Sequence, residues 1–364
     1  MKKLSIFASA LALMLCGTFT SCSVEDNAAG DGGLTEVLDN GDALKKAVEL
    51  YGTEDGVLDL SETDIEILVI PEGDEYVIVE PTTIIGNGKL TLIAKSSLFL
   101  GSSLTLKNLK IDASELENPL FLLDDEPTAE FLKKADGTNT DYYGIDNITL
   151  NNVEIKGVKN SLIWDSNKKY CVVALNIENS VIELATEGVK NEAIISFQAG
   201  GVKDFTIKNS TVYGNNAVAK YFIRYNNGAR LDRYGFDKNT EFQTMDYENN
   251  TFHGLLKSDG QWGNYNGISG QAYSKFIVKN NIWNDCGKDI IRRMAGGRFN
   301  GSNPMEFENN TYWNGDAAND ESGYDKSGTA LTTDPAFEDE AKADFTPTGA
   351  DQVAAKTGDP RWFE

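Results

Sequence analysis

The stretch FIVKNNIW, residues 276–283, carries the pattern that decides the fold: an alternating strand, two asparagines and a second short apolar run. Related stretches recur at ITLNNVEI (148–155), LNIENSVI (175–182), FTIKNSTV (205–212), MDYENNTF (245–252) and MEFENNTY (305–312), with a weaker copy at LTLKNLKI (104–111). From Asn151 to Asn309, the first asparagine of each copy recurs in steps of 28, 30, 40, 31 and 29 residues. A period of this length indicates stacked structural repeats.

Each copy alternates with period two, as in Phe276 and Val278 against Lys275 and Lys279, which is typical of a strand. Little helical periodicity follows residue 52, so we expect an all-β chain in which short strands and turns form each repeat. Asparagine suits such turns because it tolerates left-handed backbone geometry and bonds nearby backbone groups. The pattern therefore predicts a parallel β-helix with an architectural asparagine ladder.

The domain boundaries follow from where the repeat starts, pauses and stops. Asn40 or Asp42 is expected to cap a short helix that covers the first coil, because an open solenoid end exposes its core. The β-helix is predicted to span residues 34–313, with an inserted polar loop at 115–143 that contains a helix at 129–134. Residues 314–364 are acidic and turn-rich, and we expect them to form an irregular C-terminal cap.

The amino terminus resembles a bacterial lipoprotein signal. Lys2 and Lys3 precede an apolar run, and Cys22 follows as the expected lipidated residue. Residues 1–21 are therefore predicted to be a signal peptide and residues 22–33 a lipidated flexible tether. This predicts an outer-membrane protein that is held by a lipid anchor and faces the cell exterior.

The capping helix, the asparagine ladder and the tail DPAF (334–337), DFTP (344–347) and GDPRW (358–362) together resemble uncharacterised Bacteroidetes surface lipoproteins. That family has a right-handed parallel β-helix of the pectin-lyase type. The resemblance implies a role in polysaccharide utilisation, with neighbouring glycan-uptake proteins as partners. Fold analogy by itself does not establish an activity.

The charge of the chain limits its partners. Removing residues 1–21 takes away two lysines and no acidic residue, so the formal charge of −23 becomes −25. Nucleic acid and anionic membrane surfaces are therefore excluded as expected partners, apart from the lipid anchor. Cys171 and Cys286 lie in well-separated coils, so we expect buried free thiols.

A column of outward side chains supplies the candidate site. If Ile163, Ile195, Ile223, Leu256 and Ile291 point inward from equivalent strands, then Arg224, Lys257 and Arg292 stack as a cationic stripe on successive coils. Such a stripe on an acidic chain suits an anionic ligand, for which uronate polysaccharide is the natural candidate. In a lyase, Lys257 would be the base because two flanking arginines lower its pKa, while Arg224 and Arg292 hold the substrate carboxylate.

Other candidates surround this stripe. Gln198, Asn226 and Asp259 lie two residues further along the same strands and are predicted to contact substrate. Trp262 and Tyr265 lie in an expected exposed loop and offer flat faces to sugar rings. Two structural alternatives remain. The stripe can be ordinary solvated surface charge, and the aromatic residues Trp283 and Tyr312 can be packed in the core.

The sequence gives little indication of a metal site or of catalysis by histidine. No cofactor is firmly assigned. Asp124, Asp125 and Glu126 offer oxygen ligands for calcium, but an ordinary solvated acidic loop is the favoured explanation. His253 is the only histidine, which excludes a histidine-rich zinc site. The sequence also lacks the W-x-D-H segment of characterised pectate lyases.

The sequence favours a cell-surface lipoprotein that binds an acidic, uronate-containing polysaccharide during glycan capture. Two alternatives remain open at this point. A polysaccharide lyase would cleave uronate glycans by β-elimination, and a structural or adhesive solenoid would bind no saccharide.

Overall fold

A computed structural model describes residues 4–5, 38–124, 128–185, 189–214, 219–225, 230–265, 268, 273–287, 290–295, 304–314 and 324–364. Cys22, Asn226, Asp125 and Glu126 lie outside these residues. The described strands are mostly parallel and confirm the predicted parallel β-helix. No helix in these ranges is long and apolar enough to cross a membrane.

The elements up to residue 123 form the first coils. In chain order they are β1 (Leu4–Ser5), β2 (Asp42–Ala43), α1 (Leu44–Tyr51), β3 (Val57–Asp59), β4 (Ile67–Ile70), β5 (Tyr76–Ile78), β6 (Thr82–Ile85), β7 (Thr91–Ala94), β8 (Leu98–Leu100), β9 (Leu104–Asp112) and β10 (Phe121–Leu123).

The middle and last coils follow. They contain β11 (Phe131–Lys133), β12 (Asn139–Val158), β13 (Ile163–Trp164), β14 (Tyr170–Glu178), β15 (Val181–Leu184), β16 (Ala193–Phe197), β17 (Gly201–Lys208), β18 (Thr211–Gly214), β19 (Ala219–Tyr225), β20 (Gln243–Glu248), β21 (Thr251–His253), β22 (Leu256–Asn264), β23 (Ser274–Lys279), β24 (Ile282–Asn284), α2 (Arg292–Ala295), β25 (Met305–Glu308) and β26 (Thr311–Trp313).

Three faces run along the solenoid. Face A is the parallel sheet of β5, β8, β10, β13, β16, β19 and β22, and β1, within the predicted signal peptide, pairs with β5 at its edge. Face B contains the strands before each asparagine turn, such as β14, β17, β20 and β23. Face C contains the strands after it, such as β15, β18, β21 and β24. The coils from β5 to β24 pass through faces A, B and C in that order.

The asparagine turn between faces B and C is built from two stacked columns. The first residue of each turn has left-handed geometry, with φ between 49° and 55° at Asn108, Asn152, Asn179, Asn209, Asn249, Asn280 and Asn309. In the copy at residues 148–155, Asn151 was predicted as the first turn residue, and this assignment is therefore wrong by one position. Asn151 lies opposite Glu178 at the end of the face B ladder, and Asn152 occupies the turn.

The second residue of each turn points inward and is buried. Asn281 donates from Nδ2 to the Tyr247 carbonyl at 2.8 Å, and its Oδ1 accepts from the Asn250 backbone N–H at 3.1 Å. Asn310 repeats this pattern one coil later. Each side chain thereby pairs backbone groups of the preceding coil that the bend would otherwise leave unpaired.

The amino-terminal end is covered by helix α1, as predicted. Leu44, Ala47 and Val48 are its buried residues. The predicted cap residues are wrong, because Ala43 is the N-cap and makes no side-chain cap hydrogen bond. Asn40 instead accepts from the backbone N–H groups of Glu66 and Ile67, since its side chain joins the adjacent coil.

The predicted insertion at 115–143 is only partly an insertion. Strand β10 pairs in parallel with β8 and β13, so residues 121–123 belong to face A. The expected helix at 129–134 is wrong, because β11 and the start of β12 form an antiparallel hairpin. Pairing with β12 overrides the local helical preference of this short segment.

Leu331 bridges Thr311 of β26 in parallel, so the last coil is covered, as predicted. Residues 324–364 form a carboxy-terminal strap that begins there and then lies along the outside of face C. It contains β27 (Phe337–Asp339), β28 (Asp344–Pro347) and α3 (Ala350–Ala355). Buried Asp359 accepts from the Thr211 hydroxyl at 2.8 Å and donates its N–H to the Thr251 hydroxyl at 3.0 Å. The strap therefore joins several coils laterally.

The core is aliphatic in the first coils and aromatic in the later ones. Phe222 and Trp262 stack with ring centroids 4.1 Å apart, and Trp283 stacks on Tyr312 at 5.5 Å. Cys171 and Cys286 are both buried free thiols, as expected.

We expect Asn281→Ala to lower the free energy of unfolding by about 3 kcal/mol, because it leaves the Tyr247 carbonyl and the Asn250 N–H buried without partners. Asn280→Gly is the matched control, since glycine adopts the left-handed turn geometry freely, and it should cost less than about 1 kcal/mol. Urea unfolding followed by circular dichroism measures both. Equal losses in the two variants would contradict the inner ladder's role.

Candidate functional site

The predicted register of face A is confirmed for three coils. Ile163 lies opposite Ile195, and Ile195 opposite Ile223, with all three side chains buried in the core. Trp164, Ser196 and Arg224 are the next residues on these strands and form the predicted outward column.

Lys257 does not continue this column. Leu256 lies opposite Ala219, and the ladder resumes only where Gln261 pairs with Tyr221, so residues 257–260 bulge out of β22. Asn264 takes the position opposite Arg224 that was predicted for Lys257. The bulge packs closely against Gly287, where an added Cβ would lie 2.8 Å from the Lys257 carbonyl.

The third cation of the predicted stripe is also misplaced. Arg292 opens the short helix α2 and is exposed, so it is not on a face A strand. The cationic stripe of Arg224, Lys257 and Arg292 is therefore wrong as a geometric arrangement. The prediction that two arginines flank and activate Lys257 is therefore also wrong.

The predicted aromatic binding loop lies in the core. Trp262 in β22 and Tyr265 directly after it are almost fully buried in the solenoid core. Asp259 is exposed in the bulge, away from the column. His253 is also covered, since Phe345 of the strap lies 5.1 Å from its ring.

Gln198 is the predicted substrate-binding residue that does line a cleft. This corner cleft has a volume of about 570 Å³ and lies where face A turns into face B. Its lining consists of Lys134, Thr140, Asp141, Tyr142, Lys169, Gln198, Ala199, Asp232 and Arg233.

Two excursions from the regular coil build the walls of the corner cleft. One is the β11–β12 hairpin, and the other is the loop 230–242 between β19 and β20. Buried Tyr142 and Tyr234 join them through an edge-to-face contact at 4.9 Å. Gly235 has a φ of +92°, and a Cβ there would lie 2.6 Å from the Lys133 carbonyl, so the two excursions meet at a glycine.

A buried carboxylate fixes the floor of the cleft. Asp165 accepts hydrogen bonds at 2.8 Å from the backbone N–H groups of both Ala199 and Gly200. Burial raises the pKa of Asp165, while these backbone donors act in the opposite direction. The turn that follows Gln198 is thus held by a side chain from the preceding coil.

The corner cleft carries a small positive excess. Among the described lining residues, Lys134, Lys169 and Arg233 face two carboxylates, Asp141 and Asp232. Lys169 pairs with Asp141 at 3.4 Å. The whole chain has a formal charge of −23, so the net charge of the cleft lining is opposite in sign to that of the protein and favours anionic ligands.

Sequence reasoning missed the cations of the cleft because they belong to different excursions. A signal was present in the 40-residue step between Asn209 and Asn249, which marks the longer loop. Long loops on a rigid scaffold often carry function. The pattern did not show, however, that this loop would reach the hairpin.

Of the three predicted calcium ligands, the structure describes only Asp124. Its backbone carbonyl accepts a hydrogen bond from the Tyr170 hydroxyl at 2.9 Å. Asp124 is buried, and its two acidic neighbours lie outside the described residues. In the described part of the chain, no group of three or more histidine, cysteine or acidic residues is placed to hold a metal ion.

Part of the chain matches a family model. Residues 80–215 match the model of a domain of unknown function, DUF4957, and this region spans face A strands from β8 to β16 together with the hairpin. No curated protein and no solved structure matches the chain.

We expect Asp165→Ala to lower the free energy of unfolding by about 3 kcal/mol, because the buried N–H groups of Ala199 and Gly200 lose their acceptor. Asp232→Ala removes an exposed carboxylate of the same cleft and should change stability by less than about 0.5 kcal/mol. Thermal and urea unfolding test both variants. A loss of similar size in Asp232→Ala would contradict the assigned role of Asp165.

Proposed function

We propose that this protein binds an acidic, uronate-containing polysaccharide at the corner cleft without cleaving it. The observation that supports this most directly is the cation excess of Lys134, Lys169 and Arg233 in a cleft on a strongly acidic chain. Exposed cations attract a polyanion at long range and make binding sensitive to salt.

The construction of the cleft also supports a binding role. The hairpin and the loop 230–242 are not needed to stack coils, yet they meet through buried Tyr142 and Tyr234 and enclose a cleft of about 570 Å³. Preformed concave surfaces of this kind suit ligands. An adhesive solenoid does not require such an enclosure.

Binding is favoured over cleavage because of the register at β22. The lyase hypothesis required Lys257 beside Arg224, and the bulge separates the two. A general base must lie within hydrogen-bond reach of the proton that it removes. The position of Lys257 in the bulge gives no support for such a contact with a substrate held by Arg224.

We further propose that the protein acts at the outer surface of the outer membrane, held through Cys22 and the tether. The lipoprotein-like signal at residues 1–21 supports this localisation. The sequence-based resemblance supports glycan-uptake proteins as neighbours. No metal is assigned to the cleft, and calcium is treated as a variable in the binding experiment.

We expect calorimetry to detect binding of polygalacturonate or alginate, and weaker binding of neutral galactan. The double variant Lys134→Gln/Arg233→Gln should bind the polyuronate about tenfold more weakly, because two exposed charge contacts contribute roughly 1 kcal/mol or less each. Raising the salt concentration should weaken the wild type more than the variant.

Lys257→Gln is the matched control, since it removes an exposed cation outside the cleft and should leave affinity unchanged. The titrations are run with calcium and with a chelator. Equal binding of neutral and acidic glycans would count against the proposal. A rise in ultraviolet absorbance from unsaturated products, lost in Lys257→Gln, would replace it with the lyase alternative.

A further inference from the structure

Three successive side chains on the outside of face A each bury a polar atom that has no hydrogen-bond partner among the residues that the structure describes. The atoms are Trp164 Nε1, Ser196 Oγ and Arg224 Nε. The three residues are direct neighbours in the parallel ladder. We call Trp164, Ser196 and Arg224 the donor row.

The geometry of the donor row is that of a small residue between two large ones. Neighbouring strands lie about 4.8 Å apart, so Trp164 and Arg224 flank Ser196 across about 10 Å. Ser196 is fully buried, whereas the other two side chains retain part of their exposure. A ligand must therefore displace the two long side chains to reach the serine hydroxyl.

The chemistry of the row is biased toward donation. Indole and guanidinium N–H groups donate only, and the serine hydroxyl donates as readily as it accepts. A row that contains a guanidinium and two further donors matches a group with several acceptor atoms and a negative charge. A carboxylate fits this description, whereas a neutral sugar hydroxyl offers less acceptor capacity and no charge.

The donor row adjoins the corner cleft. Gln198 follows Ser196 by two residues and lies directly after the end of β16, so the row ends beside the turn that lines the cleft. Gln198 also lines the cleft. A glycan in the cleft can therefore place one residue over the row.

We propose that the donor row binds the carboxylate of a single uronate residue while the adjoining glycan lies in the corner cleft. This inference rests on the proposed function and assigns it a specific recognition element. The exposed cations attract the polyanion, and the row distinguishes a free carboxylate from a neutral or esterified sugar.

Fluorine NMR of the protein labelled with 5-fluorotryptophan tests this directly. Trp164→Phe identifies the Trp164 signal among those of the five tryptophans. Titration with sodium galacturonate should shift that signal in a saturable way. Galactose and methyl galacturonate methyl ester should not shift it, and acetate shows whether a carboxylate alone is sufficient.

Two variants separate recognition from folding. Ser196→Ala should weaken galacturonate binding about fivefold while leaving the thermal midpoint unchanged or raised, because it removes a buried hydroxyl that lacks a partner. Arg224→Gln should abolish the Trp164 shift while the signals of core Trp262 and Trp283 stay in place. A lower midpoint in Ser196→Ala with unchanged binding would overturn the inference in favour of a structural role.

The remaining outcomes are also decisive. If polyuronate binds but the Trp164 signal never responds to galacturonate, the donor row is not the carboxylate site and the proposed function stands. If the signal responds but no polysaccharide binds, the row stands as a carboxylate site and the proposed function fails. A response to galactose of equal size would overturn the claimed selectivity.

Discussion

The bend between faces B and C is the constraint on which the rest of the structure depends. A chain that turns sharply between two parallel sheets leaves backbone groups without ladder partners, and these must be paired inside the protein. Buried Asn250, Asn281 and Asn310 pair them by reaching from each coil to the one before it. This contact sets the coils in register at one corner, so the outward columns and loops on the other faces acquire fixed neighbours. The geometry of the candidate site therefore depends on that register.

The repeat was predictable because the turn has a strong chemical signature. Left-handed geometry favours asparagine, and an inward amide or hydroxyl follows it, so the pair is visible without coordinates. The first copy misled by one residue because Asn151 and Asn152 are adjacent, and only strand pairing distinguishes the turn residue from the last ladder residue. The strap and hairpin were harder, because their structure depends on contacts with distant coils such as those of Asp359 with Thr211 and Thr251.

The candidate site was only partly predictable for a related reason. Alternation correctly placed Ile195 inside and Ser196 outside, and it worked wherever the strand was regular. At β22 the bulge of residues 257–260 changes the count, so Lys257 and Trp262 both fall where alternation does not place them. The corner cleft depends on two excursions meeting at Gly235, which no local pattern encodes. Periodicity thus identifies the scaffold, whereas charge and burial in three dimensions identify the surface that can act.

The central claim is that an acidic glycan lies in the corner cleft with a carboxylate on face A. A crystal structure of the protein with a uronate oligosaccharide tests this most directly. The account predicts sugar density between the β11–β12 hairpin and the loop 230–242, in contact with Arg233 and Gln198, and a carboxylate within hydrogen-bond distance of Arg224. Density confined to face C or to the bulge at Lys257 would contradict it.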